Sequence, residues 1–212
     1  ALPSGVNVKS FKVTDSEGGL LPCQFDDFDS SGSVTAGDEI VFLVTVQPQE
    51  TKKVVIRCSN DAPAQETKYA REDTLWTRPV GGVLEIWSAR YQINLDNKTG
   101  VFNHLQLNNE KTNAYVWCGD FFAEYMLYTP NWQRSERQKD CFAKKSLFWE
   151  GPVRITQESV FEFPPMEGIP AGLEVSCRTS LYPGFIRHRG IIHYNGESAF
   201  TAAGLRAATY FK

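Results

Sequence analysis

Residues 89–109 read ARYQINLDNKTGVFNHLQLNN, and the fold class turns on them. Tyr91, Ile93 and Leu95 alternate with Gln92, Asn94 and Asp96, the period of two expected of a strand with one buried face. Asp96-Asn97-Lys98-Thr99-Gly100 supplies turn chemistry, with Gly100 free to take a positive φ. Val101, Leu105 and Leu107 then resume the alternation on one face. The stretch is predicted to be a β-hairpin with a polar tip, rooted in a core.

The same grammar extends in both directions. Downstream, residues 83–96, 100–108, 113–118, 121–128, 146–163, 172–183, 185–194 and 197–211 are strand candidates. Residues 146–163 are too long for one flat strand, so a bend is expected at Gly151-Pro152, where proline cannot donate to a ladder. Asn131 to Lys145 is the one stretch read as a short helix or long loop. Upstream, residues 6–13, 20–26, 38–46 and 51–59 form a meander pattern. The polar, turn-rich run between the two halves is read as a linker. The expected architecture is all-β: a small β-sandwich over 1–59, a linker over 60–82 and a larger two-sheet β-sandwich over 83–212.

Composition narrows the function. The net charge is −3 and the hydrophobic content 42%, values that fit a globular chain and argue against nucleic acid as a partner. Residues 1–50 carry two lysines against eight acids, so the amino-terminal part is acidic and the remainder mildly basic. The longest strongly apolar run, Ile40 to Val46, is strand-length and far short of a membrane span. No membrane partner is expected. The start Ala1-Leu2-Pro3-Ser4 lacks methionine, and the chain is expected to be a processed or excised piece of something longer. Cys23, Cys58, Cys118, Cys141 and Cys177 lack the spacing of a metal knuckle. Most are expected to be reduced core residues, with Cys23–Cys58 the pair able to bridge in a secreted protein.

Three phrases, taken in order, resemble a known family. Asp15 to Gly18, then Leu21-Pro22-Cys23-Gln24, then Ile40-Val41-Phe42 resemble the small β-sandwich of glycoside hydrolase family 38, the α-mannosidase type. LEIWSARYQINLDNKTGVFNHLQL, residues 84–107, resembles that family's entry into its large, galactose-mutarotase-like supersandwich, with Trp87-Ser88 where an asparagine is usual. The resemblance implies a carbohydrate-active enzyme whose zinc-bearing catalytic domain precedes residue 1. No catalytic residue and no zinc site is therefore assigned within the chain. The implied partners are carbohydrate and a catalytic domain or other chain of the same enzyme. The implied setting is a secreted, periplasmic or lysosomal-type compartment.

Four constellations are singled out for chemistry. Asp27-Phe28-Asp29-Ser30-Ser31-Gly32-Ser33-Val34-Thr35-Ala36-Gly37-Asp38 places oxygen side chains at the positions of a calcium loop, with glycine at six. Asp27, Asp29, Ser31, Thr35 and Asp38 are the candidate ligands, although the flanks read as strands and a solvated hairpin loop is the alternative. Trp132, in Asn131-Trp132-Gln133-Arg134, is the aromatic placed best to stack on a sugar beside polar Asn131 and Arg134, with Trp149 second. Tyr182, Arg187 and His188 would be the set for a self-contained lyase or glycosidase, but alternation sends Arg187 and His188 to opposite faces. The run Arg134, Arg137, Lys139, Lys144, Lys145 is a solvated loop or a docking surface for an acidic glycan or a neighbouring domain. A free-standing glycan-binding module built on Trp132 and the calcium loop is the remaining reading.

Overall fold

The structure is a computed structural model that describes residues 11–58, 69–109, 112, 114–129, 131, 143–196 and 204–210. Among these the chain is all-β, with one short 3-10 turn at Arg71–Asp73. The amino-terminal part holds β1 (Phe11–Asp15), β2 (Cys23–Asp26), β3 (Glu39–Phe42) and β4 (Val54–Cys58). Antiparallel pairing joins β1 to β4 and β2 to β3. Phe11 and Phe25 bring the two pairs together, their ring centroids 6.0 Å apart.

The larger part is a two-sheet sandwich. Strands β5 (Trp76–Val80), β6 (Val83–Trp87), β7 (Tyr91–Asp96), β8 (Phe102–Asn109) and β9 (Ala114–Tyr128) run as a meander, and β14 (Gly204–Tyr210) returns beside β9. Strands β10 (Ala143–Trp149), β11 (Ile155–Glu162), β12 (Leu173–Leu181) and β13 (Ile186–Tyr194) make the second, four-stranded meander. Ile86, Tyr91, Ile93, Leu95 and Leu105 from the first sheet meet Ile155 and Leu181 from the second in one core lobe. Val101, Tyr125, Phe161, Phe163, Leu173 and Val175 fill another. Burying such side chains contributes roughly 1.5–3 kcal/mol each, the main favourable term holding the sheets face to face. Among the described residues, no helix is long and apolar enough to cross a membrane.

The hairpin read first in the sequence is present, with one correction. Asp96 Oδ1 accepts the N–H groups of Lys98 and Thr99 at 2.8 and 3.1 Å, and Gly100 turns the chain at φ 65°. Glycine is needed there twice over, since a Cβ would also press on Gln157 Nε2 at 3.2 Å. Val101 and Leu105 are buried, but Leu107 is 47% exposed. A bulge interrupts the strand: relative to β7, β8 carries one extra residue between Asn103 and Gln106, where His104 takes φ 53°. The extra residue brings Leu105 to the same face as Phe102, and Leu107, opposite buried Tyr91, is exposed on that face.

A second correction concerns the expected linker. β5 lies inside the 60–82 stretch and pairs with β6 along its whole length. Leu75 anchors it, buried in the first core lobe, with its N–H donating to the Pro152 carbonyl at 2.7 Å. Pro79 is tolerated because β5 is an edge strand. The long candidate 146–163 divides at Gly151-Pro152 into β10 and β11. Cys23, Cys58 and Cys177 are free thiols, so the Cys23–Cys58 bridge is absent.

Candidate functional site

Register decides what the four-stranded sheet shows to its outer side. Glu158, Arg178 and Arg189 lie opposite one another across β11, β12 and β13. Thr156, Ser180 and Arg187 make the next row, and Val160, Ser176 and Ile191 the row beyond. Residues between these positions, such as Val175, Cys177, Thr179 and Leu181, point into the sandwich.

The stem of the β2–β3 hairpin docks on one end of this outer face. Gln24 is buried, and its amide is fully used. Its Oε1 accepts the N–H groups of Val153 and Arg154 at 2.8 and 2.6 Å. Its Nε2 donates to the Arg154 carbonyl at 2.8 Å and to Asp26 Oδ1 at 2.6 Å. A Cβ at Gly151 would run into this amide, which explains the glycine at the bend. Arg154 Nε donates to Asp26 Oδ2 at 2.8 Å, its Nη2 meets the same oxygen, and its Nη1 lies 2.6 Å from Glu39 Oε2. Burial works against the charge on Arg154. The Tyr182 hydroxyl, Asp26 and Glu39 together outweigh it and hold the guanidinium above its ordinary pKa. Phe28 closes the seam, edge-on to Trp149 at 4.8 Å with the Arg178 guanidinium over its face at 4.7 Å.

Where the hairpin ends, the outer face opens into two adjoining clefts. One, of about 240 Å3, lies between Glu39 and the side of the sheet bearing Arg154, Tyr182 and Arg187. The other, of about 300 Å3, continues past Lys145, Glu158, Val160 and Ile191. Arg178 and Arg189 line both. Arg178 is partly held by Glu39 at 3.3 Å and Glu158 at 3.5 Å. Tyr182 lines the first cleft and stacks on Phe185 at 4.4 Å and 16°, with Phe185 56% exposed. The Tyr91 hydroxyl donates to the Tyr182 carbonyl at 2.6 Å, pinning this platform to the six-stranded sheet.

The acidic loop is the tip of the same hairpin. Carboxylate oxygens of Asp27, Asp29 and Asp38 lie within 4.8 Å of one another. Asp27 accepts the N–H groups of Ser31 and Gly32, Asp29 those of Ser31 and the Thr35 hydroxyl, and Asp38 those of Phe28 and Thr35. The donors from Ser31 and Thr35 hold the Asp29 carboxyl down at about 2. Ser31 Oγ donates to the Ser33 carbonyl at 2.9 Å. An all-oxygen ligand set of this kind fits a hard divalent cation such as calcium.

The other singled-out residues scatter. Trp149 belongs to the seam, half-buried against Phe28. Asn131 is exposed in a turn, and Trp132 and Arg134 lie outside the described residues. Tyr182 and Arg187 share the first cleft. His188 points the other way, into the sandwich, between the Tyr125 hydroxyl at 2.9 Å and the Thr179 hydroxyl at 2.8 Å. The lyase set is therefore not assembled. Burial pushes His188 down to about 4 and, with Cys177, Tyr125 up to about 12. Sequence reasoning did not single out Gln24, Arg154, Arg178 or Phe185. The Arg187 and Arg189 alternation was visible, but only the pairing with β12 brings Arg178 beside them.

A family model described as a domain of unknown function (DUF4861) matches residues 2–148. No curated protein and no solved structure matches the chain.

Proposed function

We propose that this chain, which belongs to the DUF4861 family, is a glycan-contacting, non-catalytic β region of a carbohydrate-active enzyme. It buttresses a catalytic domain and offers its outer sheet face to the saccharide. The observation that carries this reading is the pair of adjoining clefts beside the exposed Tyr182–Phe185 stack. An aromatic face packs on the C–H side of a sugar ring, while the surrounding guanidinium, hydroxyl and carboxylate groups meet its hydroxyls. The resemblance of residues 15–42 and 84–107 to the β region of glycoside hydrolase family 38 supports the same class. The split of Arg187 and His188 to opposite faces argues against a self-contained lyase. In this reading Asp27, Asp29, Ser31, Thr35 and Asp38 take calcium, stiffening the hairpin whose stem forms the cleft wall.

Isothermal titration of the chain with a panel of neutral and acidic oligosaccharides tests the proposal. At least one class is expected to bind, and Phe185→Ala with Tyr182→Ala is expected to weaken that binding at least about tenfold, or 1.4 kcal/mol. Binding that survives both substitutions unchanged, or a panel with no binder, sinks the reading.

A further inference from the structure

The glycan reading leaves the charge of the clefts unexplained. Arg178 and Arg189 sit directly opposite on β12 and β13, a placement that like charges disfavour. Arg187 lies two residues from Arg189 on the same face, and both are exposed. Among the described residues neither Arg187 nor Arg189 has an ion pair, and Arg178 has only the long contacts to Glu39 and Glu158. Lys145 adds a further cation to the second cleft. The contrast with Arg154 is plain, since that guanidinium meets both Asp26 and Glu39. A sheet that crowds Arg178, Arg187, Arg189 and Lys145 where two clefts join, with Glu39 and Glu158 both taken up by Arg178, is arranged for an anion brought from outside.

Resting on the glycan reading above, we infer that Arg187 and Arg189, with Arg178 behind them, form a subsite for the carboxylate of an acidic sugar, a uronate residue of an oligosaccharide. Guanidinium forks match a carboxylate edge with paired N–H donors. Glu39 in the same cleft accepts hydroxyl hydrogens but repels anions, so the ligand must carry both hydroxyls and a negative group. The Tyr182–Phe185 stack, whose Tyr182 lines the cleft, offers the ring face a sugar needs. Two lobes joined at Arg178 and Arg189 suit a short oligomer better than a single sugar.

The test titrates the chain with oligogalacturonate, oligoglucuronate and oligomannuronate, each beside its methyl ester, which keeps the hydroxyls and removes the charge. Sulfated neutral oligosaccharides form a further arm. At least one uronate is expected to bind tenfold or more tightly than its ester, and to weaken as salt rises. R187Q with R189Q is expected to abolish that preference while leaving the melting curve unchanged, since both side chains are exposed and unpaired. Acid and ester binding equally well overturns the carboxylate subsite and leaves the glycan reading standing. A sulfated ligand preferred over every uronate overturns the choice of carboxylate. No binding of any saccharide overturns both readings, and a double variant that keeps wild-type preference overturns the assignment of the two arginines.

Discussion

Arg154, buried, and His188, partly buried, are basic side chains in two different regions, and each region settles its charge differently. In the seam beneath the β2–β3 hairpin, Arg154 meets Asp26 and Glu39 and stays charged. In the polar belt between the sheets, His188 is held by the hydroxyls of Tyr125 and Thr179, and burial drives it neutral. Burial disfavours the charged form in both places. The Tyr182 hydroxyl together with Asp26 and Glu39 reverses the outcome for Arg154, and hydroxyl partners without a carboxylate do not reverse it for His188. The seam joins two parts of the chain by charge compensation, whereas the belt accommodates a polar group inside a core by removing its charge.

The largest expected effect breaks the seam. Arg154→Met leaves Asp26, which is only 3% exposed, as an uncompensated buried carboxylate. Breaking such a pair typically costs about 3–5 kcal/mol, read as a fall in the urea midpoint. Asp26→Leu combined with Arg154→Met removes both charges and is expected to recover most of the loss. A single variant as stable as the wild type would show that compensation does not hold the seam, and the comparison with His188 would fall.

The belt predicts a pH dependence of defined sign. His188 titrates near 6.5 when unfolded and at about 4 when folded. Between those values the unfolded chain binds a proton that the folded chain refuses, so stability falls as pH drops from 6.5 towards 4. Above 6.5 the group contributes no slope. The loss reaches up to about 3 kcal/mol at 1.36 kcal/mol per pK unit. His188→Gln is expected to flatten this part of the stability–pH curve, and the difference between the two curves isolates it from the carboxylates. Identical curves for both proteins would mean that His188 is protonated in the folded state.

Local pattern carried most of the fold and little of the site. Alternation in Tyr91, Ile93 and Leu95, and turn chemistry at Asp96–Gly100, are local properties, and both appear in the hairpin. The edge strand at Trp76–Val80 was hidden because five residues with a proline inside a polar stretch carry little periodicity. Leu107 was misplaced because alternation gives a face and not what covers it: it lies opposite buried Tyr91 and is still 47% exposed. The clefts need pairings across more than a hundred residues, such as Glu39 with Arg178, and no spacing in the chain encodes those. Gln24 was visible within the Leu-Pro-Cys-Gln phrase, but its four hydrogen bonds depend on the bend at Gly151-Pro152 reaching it.

The smallest expected effect extends the comparison to carboxylates at the tip of the hairpin. Asp26, in the stem, is balanced by a guanidinium. Asp27, Asp29 and Asp38 instead accept from N–H and hydroxyl donors, which stabilise the ionised form without cancelling its charge. Asp29, held down at about 2, is ionised throughout the neutral range. If these oxygens take calcium as proposed, binding to the folded form raises stability by linkage. A few millimolar calcium is expected to raise Tm by roughly 2–6 °C, on weak extracellular-type affinities and the size of the chain. Asp29→Ala is expected to remove the rise, and magnesium to substitute poorly because it demands tighter octahedral geometry. A melting curve indifferent to calcium would mean that the N–H and hydroxyl donors alone satisfy the tip, and that its carboxylates stay ionised without a cation to balance them.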